Sequence, residues 1–163
     1  MNPDWSVLAI DPSGIDCNRL LSSWRWLVNE SYVPIELTIF GDWFLLAHDG
    51  AVFLLDVVAG ELRQIAESKE QFAQERSTRE ALDDWFMADL AMLCWEQGLR
   101  PEPGQCLSYK VPPVLSGELA LSNIEVCDLA VHQSIMAQMH EQVRDLPPDT
   151  QINRIIVDGE TPS

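Results

Sequence analysis

Basic residues are scarce in this chain: ten Lys and Arg stand against 26 Asp and Glu, a net charge of -16 over 163 residues. That shortage excludes the positive footprint that nucleic acids and anionic membranes require. No apolar run approaches the roughly 20 residues of a membrane span. The spacings that announce common chemistries are also missing. None of the four cysteines, Cys17, Cys94, Cys106 and Cys127, forms a C-x-x-C pair, so no zinc knuckle is signalled. H-E-x-x-H, D-x-D-x-D-G, G-x-x-x-x-G-K and G-x-G-x-x-G are all absent, which removes the usual signals for zinc hydrolysis, calcium loops and phosphate cradles. The opening MNPDWSVLAIDPSG carries neither a basic region before an apolar core nor a small-residue cleavage site. A cytoplasmic protein with reduced thiols is the expectation.

The acidity is distributed along the chain. Residues 1–60 hold eight acids and two bases, residues 61–102 ten and five, and the remainder eight and three. Such a surface favours solubility and speeds the approach of a basic partner. With 47% hydrophobic residues and six tryptophans, a chain of this length buries enough surface to fold without disulfides or metal.

Periodicity and turn chemistry predict an α+β single domain. Residues 1–15 read as an irregular N-terminal arm with a short strand at 7–10. Asp16 is placed to cap a helix whose apolar face is Cys17, Leu20, Leu21, Trp24, Leu27 and Val28. An antiparallel meander follows, with strands at 36–40, 43–47, 51–57 and 61–65. Its turns fall at Gly41-Asp42, His48-Asp49-Gly50 and Ala59-Gly60. Ser68 with Gln71, and Ser77 with Glu80, read as capping boxes. The second opens one helix over 78–97 that carries Leu82, Trp85, Phe86, Leu90, Leu93 and Cys94 on one face and ends at Gly98. Strands at 105–110 and 124–130 flank a Pro112-Pro113 break. A helix over 131–145 and a strand over 151–157 complete the chain, with a frayed tail at 158–163.

No residue set reads as catalytic, cofactor-binding or metal-binding. His132 and His140 lie eight residues apart, about 12 Å along a helix axis, too far to share one zinc easily. His132 sits on the apolar face and reads as a core histidine, His48 as a turn residue. The cysteines lie in apolar helix and strand positions and read as structural thiols. Asp42, Asp49 and Asp56 recur every seven residues at turns, where Asp is favoured for its local backbone hydrogen bonds. An enzyme built on Asp56 and His132 is a remote third reading. Glu80, Asp83 and Asp84 lie opposite the apolar face of their helix. They form a solvated patch of the type that meets a basic protein.

A larger pattern runs through the chain. Gly41-Asp42 with Phe44-Leu45, Gly50-Ala51-Val52-Phe53, Leu55-Asp56 with Gly60, and Ala66-Glu67-Ser68 are followed by Gly104-Gln105-Cys106. Pro112-Pro113-Val114-Leu115 with Gly117-Glu118, Asn123 with Val126, Val131-His132 with Ser134, and Gln138, His140, Gln142 and Leu146-Pro147 complete it. In order and spacing these residues resemble the C-terminal domain of immunity proteins that accompany type VI secretion DNase effectors, within the SMI/KNR-like superfamily. The resemblance runs over residues 16–157. It departs at Ser116 and at Pro148-Asp149-Thr150, where the family often has glycine. The resemblance implies a non-enzymatic protein that binds and neutralises a cognate, basic toxin, with no cofactor and no catalytic residue to transfer. A small oligomer is compatible with it. The alternative is a general interaction or regulatory scaffold of the same fold with no toxin partner.

Overall fold

The computed structural model describes residues 4–29 and 31–146. The fold is α+β, as the sequence predicts. Its centre is a five-stranded antiparallel sheet in which neighbours in sequence are neighbours in space. The strands are β1 (Ala9–Ile10), β2 (Val33–Thr38), β3 (Trp43–Leu46), β4 (Val52–Asp56) and β5 (Glu61–Ala66). The turns fall where the glycines place them. Gly50 and Gly60 hold φ of 94° and 71°, a region costly for any residue with a Cβ. The strand predicted at 51–57 is β4, an interior strand, and β3 is the middle one. Every β3 residue except Leu46 is buried, because both faces of the sheet are covered.

Alternation along β3 and β4 splits the core in two. Phe44, Val52 and Leu54 point to one side, where Phe72, Trp85, Phe86 and Leu107 pack. Trp43, Leu45 and Leu55 point to the other, with Trp24, Met136 and Ala137. The first side is roofed by α3 (Lys69–Glu75), α4 (Arg79–Phe86) and α5 (Ala88–Glu96), the second by α2 (Cys17–Leu21) and α6 (Leu129–Val143). A two-stranded antiparallel sheet, β6 (Gln105–Tyr109) with β7 (Ile124–Asp128), completes the described fold. The Leu107 amide donates to the Ile39 carbonyl at 2.8 Å and ties this pair to the end of β2.

Several local expectations are corrected. Residues 5–8 form α1 (Trp5–Leu8), not irregular chain, and only Ala9–Ile10 are strand. Val7 and Leu8 are buried, and Trp5 contacts both the Arg76 guanidinium, 3.6 Å from its ring centroid, and the edge-on Phe86 ring at 5.2 Å. Long-range packing orders a segment with little period of its own. The helix capped by Asp16 is short and passes into a 3-10 turn over Ser22–Trp24. The helix predicted over 78–97 is two helices. Met87 adopts the left-handed conformation, φ 49° and ψ 50°, and re-aims the chain between α4 and α5. As a result Ala91 and Cys94 are buried while Leu93 is exposed. The cap of α4 is Thr78, whose hydroxyl accepts from the Ala81 amide, rather than Ser77. The Ser68 cap is as expected, but Gln71 Oε1 reaches the Glu67 amide rather than that of Ser68. The helix predicted at 131–145 starts two residues earlier, with Asp128 as its cap. The strand predicted at 151–157 and the tail at 158–163 lie outside the described residues.

The segment between β6 and β7 is irregular, as Pro112-Pro113 requires, with 3-10 turns at Pro113–Leu115 and Leu121–Asn123. Asn123 closes it. Its side chain accepts from the Val111 amide and donates to the carbonyls of Val111 and Glu118, each at 2.9 Å. Gly117 is packed so tightly that a Cβ would overlap the Val111 carbonyl oxygen. Gly117→Ala must therefore displace backbone. It is expected to cost about 1–3 kcal/mol in urea-monitored unfolding, and an unchanged midpoint would contradict this packing.

Candidate functional site

The predicted acidic patch lies on α4. Ala81, Leu82, Trp85 and Phe86 turn into the core, which leaves Glu80, Asp83 and Asp84 exposed on the opposite side. Glu80 and Asp84 line one open groove together with Glu75, Thr78 and Arg79, with Trp85 at its floor. Asp83 stands apart from that lining. It pairs with Arg79 at 3.1 Å, and Arg79 also reaches Asp89 at 3.0 Å. Asp84 pairs with Arg63 on β5 at 3.2 Å. These ion pairs are exposed, so each contributes about 0–1 kcal/mol. Two guanidiniums do not neutralise five carboxylates, and the face stays negative. Its electrostatics suit attraction of a cationic surface.

The three turn carboxylates all cap backbone. Asp49 accepts from the Ala51 amide at 3.0 Å, and Asp56 from the amides of Val58 and Ala59 at 3.1 and 2.9 Å. Asp42 is different in kind, because it is buried. Oδ1 accepts from the Val57 amide at 2.9 Å, and Oδ2 lies 3.1 Å from the Thr38 hydroxyl. Burial, with the nearby Asp56 charge adding to it, pushes the Asp42 carboxyl up to about 8.

Both helix histidines are buried and bonded. His140 Nε2 lies 2.9 Å from the Val58 carbonyl, and the ring packs so closely on Gly60 that a Cβ there would collide with it. Burial lowers the His140 pKa, which keeps the ring neutral at pH 7. His132 Nε2 lies 3.1 Å from the Phe40 carbonyl, and Nδ1 lies 3.0 Å from the Ser108 hydroxyl. A carbonyl only accepts, so Nε2 carries the proton, and Ser108 donates to Nδ1. The next residue, Gln133, is a fully buried hub. Its Oε1 accepts from the indole N–H groups of Trp24 and Trp43, both at 3.0 Å, and its Nε2 donates to the Gly41 carbonyl at 2.7 Å.

Sequence reasoning missed one cluster. Cys106 and Cys127 are direct cross-strand partners on β6 and β7, with Sγ atoms 3.8 Å apart. Ser108 shares the face of Cys106 two residues along the strand, and α6 brings His132 over that face. A ligand atom from each of Cys106, Cys127 and His132 lies within 4.8 Å of the other two. Cys106 is buried and Cys127 half-buried. The Cys106 hydrogen bond holds the Cys127 thiol well below the usual thiol range, and His132 and Ser108 act in the same direction. No spacing signal could have revealed this, since strand register brings the two cysteines together across a 21-residue gap. Cys94, on α5, is buried in the core.

Trp24, Trp43 and Trp85 are core residues, and Trp5, Trp26 and Trp95 are half-buried.

No curated protein matches the chain. Among solved structures, the crystal structure of Atu4351 from Agrobacterium tumefaciens is similar with a TM-score of 0.49 at 14% identity, covering 74% of this chain. The match spans 63% of that protein's own length. Residues 66–140, from the end of β5 to the last turn of α6, match the family described as T6SS immunity protein Tdi1, C-terminal, the type of domain that the sequence motifs resemble.

Proposed function

We propose that this chain is a non-enzymatic immunity protein that neutralises a cognate toxin by direct binding. The observation that carries the reading is the match of residues 66–140 to the C-terminal domain of a type VI secretion immunity protein. The charge supports the same reading. A toxin that acts on nucleic acid needs a basic substrate groove, and an acidic protein can fill that groove with electrostatically steered association. The matched segment includes α4, so the proposed contact residues Glu80, Asp83 and Asp84 lie within it. The carboxylates of the groove would occupy the positions of substrate phosphates. The toxin is the partner, the setting is cytoplasmic, and the unit is a single domain that includes α1 and β1.

The test is co-expression with toxins encoded next to this chain's gene, followed by binding kinetics. The wild-type chain is expected to restore growth and to capture the toxin. The double variant Glu80→Lys/Asp84→Lys is expected to slow association by about tenfold or more and to flatten its salt dependence, with the fold intact. Absence of capture and of protection would end the immunity reading. Protection with an association rate indifferent to these charges would move the contact surface elsewhere.

A further inference from the structure

The cysteine pair and its histidine are not used by a surface-binding function, and their arrangement has a chemistry of its own. We propose that Cys106, Cys127 and His132 form a binding site for a thiophilic divalent metal ion, Zn2+ in the first instance, with a fourth position left for water. This site is independent of the immunity reading.

The geometry fits the ion. Tetrahedral zinc with Zn–S bonds of about 2.3 Å sets its two sulfurs about 3.8 Å apart. The sulfurs of Cys106 and Cys127 are 3.8 Å apart. Two directly opposed strand residues fix that separation through the backbone, so the pair is pre-organised by the β6–β7 register. The third ligand is oriented in the manner of metal-bound histidines. One ring nitrogen, Nε2, is engaged by a backbone carbonyl, which fixes the tautomer and turns the other nitrogen's lone pair inward. Here Nε2–H donates to Phe40, and Nδ1 faces the Ser108 hydroxyl. A hydroxyl rotates freely and can give up that bond to the metal. All three ligand atoms fit within a 4.8 Å triangle, so side-chain rotation suffices to close the set.

The donor set chooses the ion. Two thiolates and one imidazole select zinc and its soft neighbours over Mg2+ and Ca2+, which prefer oxygen. Two thiolates also neutralise a dication, so the bound site adds no net charge beside Asp42 and Asp128, the acids that bear on Cys106. Half-buried Cys127 provides a route in from solvent. The ligands come from β6, β7 and α6, so the ion would staple the small sheet to the helix that packs on it.

The experiment uses the full chain, reduced, stripped with a chelator and kept free of oxygen. Titration with Co2+ is expected to saturate at one equivalent. It should give a thiolate-to-cobalt charge-transfer band with the visible bands of four-coordinate cobalt, and Zn2+ should displace the cobalt. Zn2+ at about 100 times its dissociation constant is expected to raise the melting temperature by about 5–10 °C. Cys127→Ser alters a half-exposed side chain and should fold. It is expected to weaken binding by about 100-fold or more, while Cys17→Ser leaves binding unchanged. Wild-type protein that takes up no cobalt overturns the proposal, as does cobalt bound without a thiolate band or equally well by Cys127→Ser. A wild-type protein that ignores metal yet forms a Cys106–Cys127 disulfide when given hydrogen peroxide would assign the pair to redox chemistry instead.

Discussion

Gln133→Leu is expected to lower the unfolding free energy by about 3–5 kcal/mol. The side chain is fully buried, and one amide satisfies three groups: the indole N–H of Trp24, the indole N–H of Trp43 and the carbonyl of Gly41. Leucine has similar bulk and would fill the space, so little is lost in packing. The loss comes from three buried polar groups left without partners, each costing about 1–3 kcal/mol, partly offset by the added apolar burial. Trp24 ends the 3-10 turn between β1 and β2, Trp43 is in the middle strand of the sheet and Gly41 is in the turn between β2 and β3. The amide thus fixes α6 against three separate parts of the chain. Urea unfolding followed by tryptophan fluorescence measures the effect. A loss below about 1 kcal/mol would mean that water enters and replaces the amide.

The second large effect is a dependence on pH. Asp42 has its carboxyl raised from an ordinary value of 3.8 to about 8 by burial and by Asp56. In the unfolded chain the same group ionises near pH 4. Between those values the folded state holds a proton that the unfolded state has released, so stability falls as pH rises. The contribution is fully present below pH 4 and is lost progressively up to about pH 8. At about 1.4 kcal/mol per pH unit the span amounts to several kcal/mol. Asp42→Asn keeps an oxygen for the Val57 amide and cannot ionise. It is expected to match the wild type near pH 5 and to exceed it by about 2–4 kcal/mol at pH 8. Parallel denaturation curves for the two proteins across that range would show that Asp42 ionises normally and that this account is wrong.

Asp42 and Asp56 also show where sequence reading reaches its limit. Both were legible as turn carboxylates, because Asp beside Gly or after a strand has a local reason to be there. For Asp56 the local reason is sufficient. For Asp42 it is incomplete, since the carboxylate is buried and bonds to the Val57 amide fifteen residues away. The acidic face on α4 was legible for the same kind of reason. Charges opposite an apolar stripe at helical spacing must face water. The pairings of Asp84 with Arg63 and of Arg79 with Asp89 were not, because they depend on where β5 and α5 sit.

What the chain determined by itself is therefore its local grammar: the meander and its glycine turns, the caps at Asp16 and Ser68, the proline break at Pro112-Pro113, the acidic exterior and the family pattern. These follow from turn chemistry and from periods of 2 and 3.6 residues, which act over a few positions. Tertiary structure alone decided the break at Met87, the packing of residues 5–10, the Gln133 hub and the meeting of Cys106, Cys127 and His132. In each case the physical reason is contact between residues distant in sequence. Met87 accepts a left-handed backbone because α4 and α5 both bury apolar faces in directions that one straight helix cannot serve. The cysteines face one another because an antiparallel register, set by the whole strand pair, aligns positions whose separation carries no sign of it.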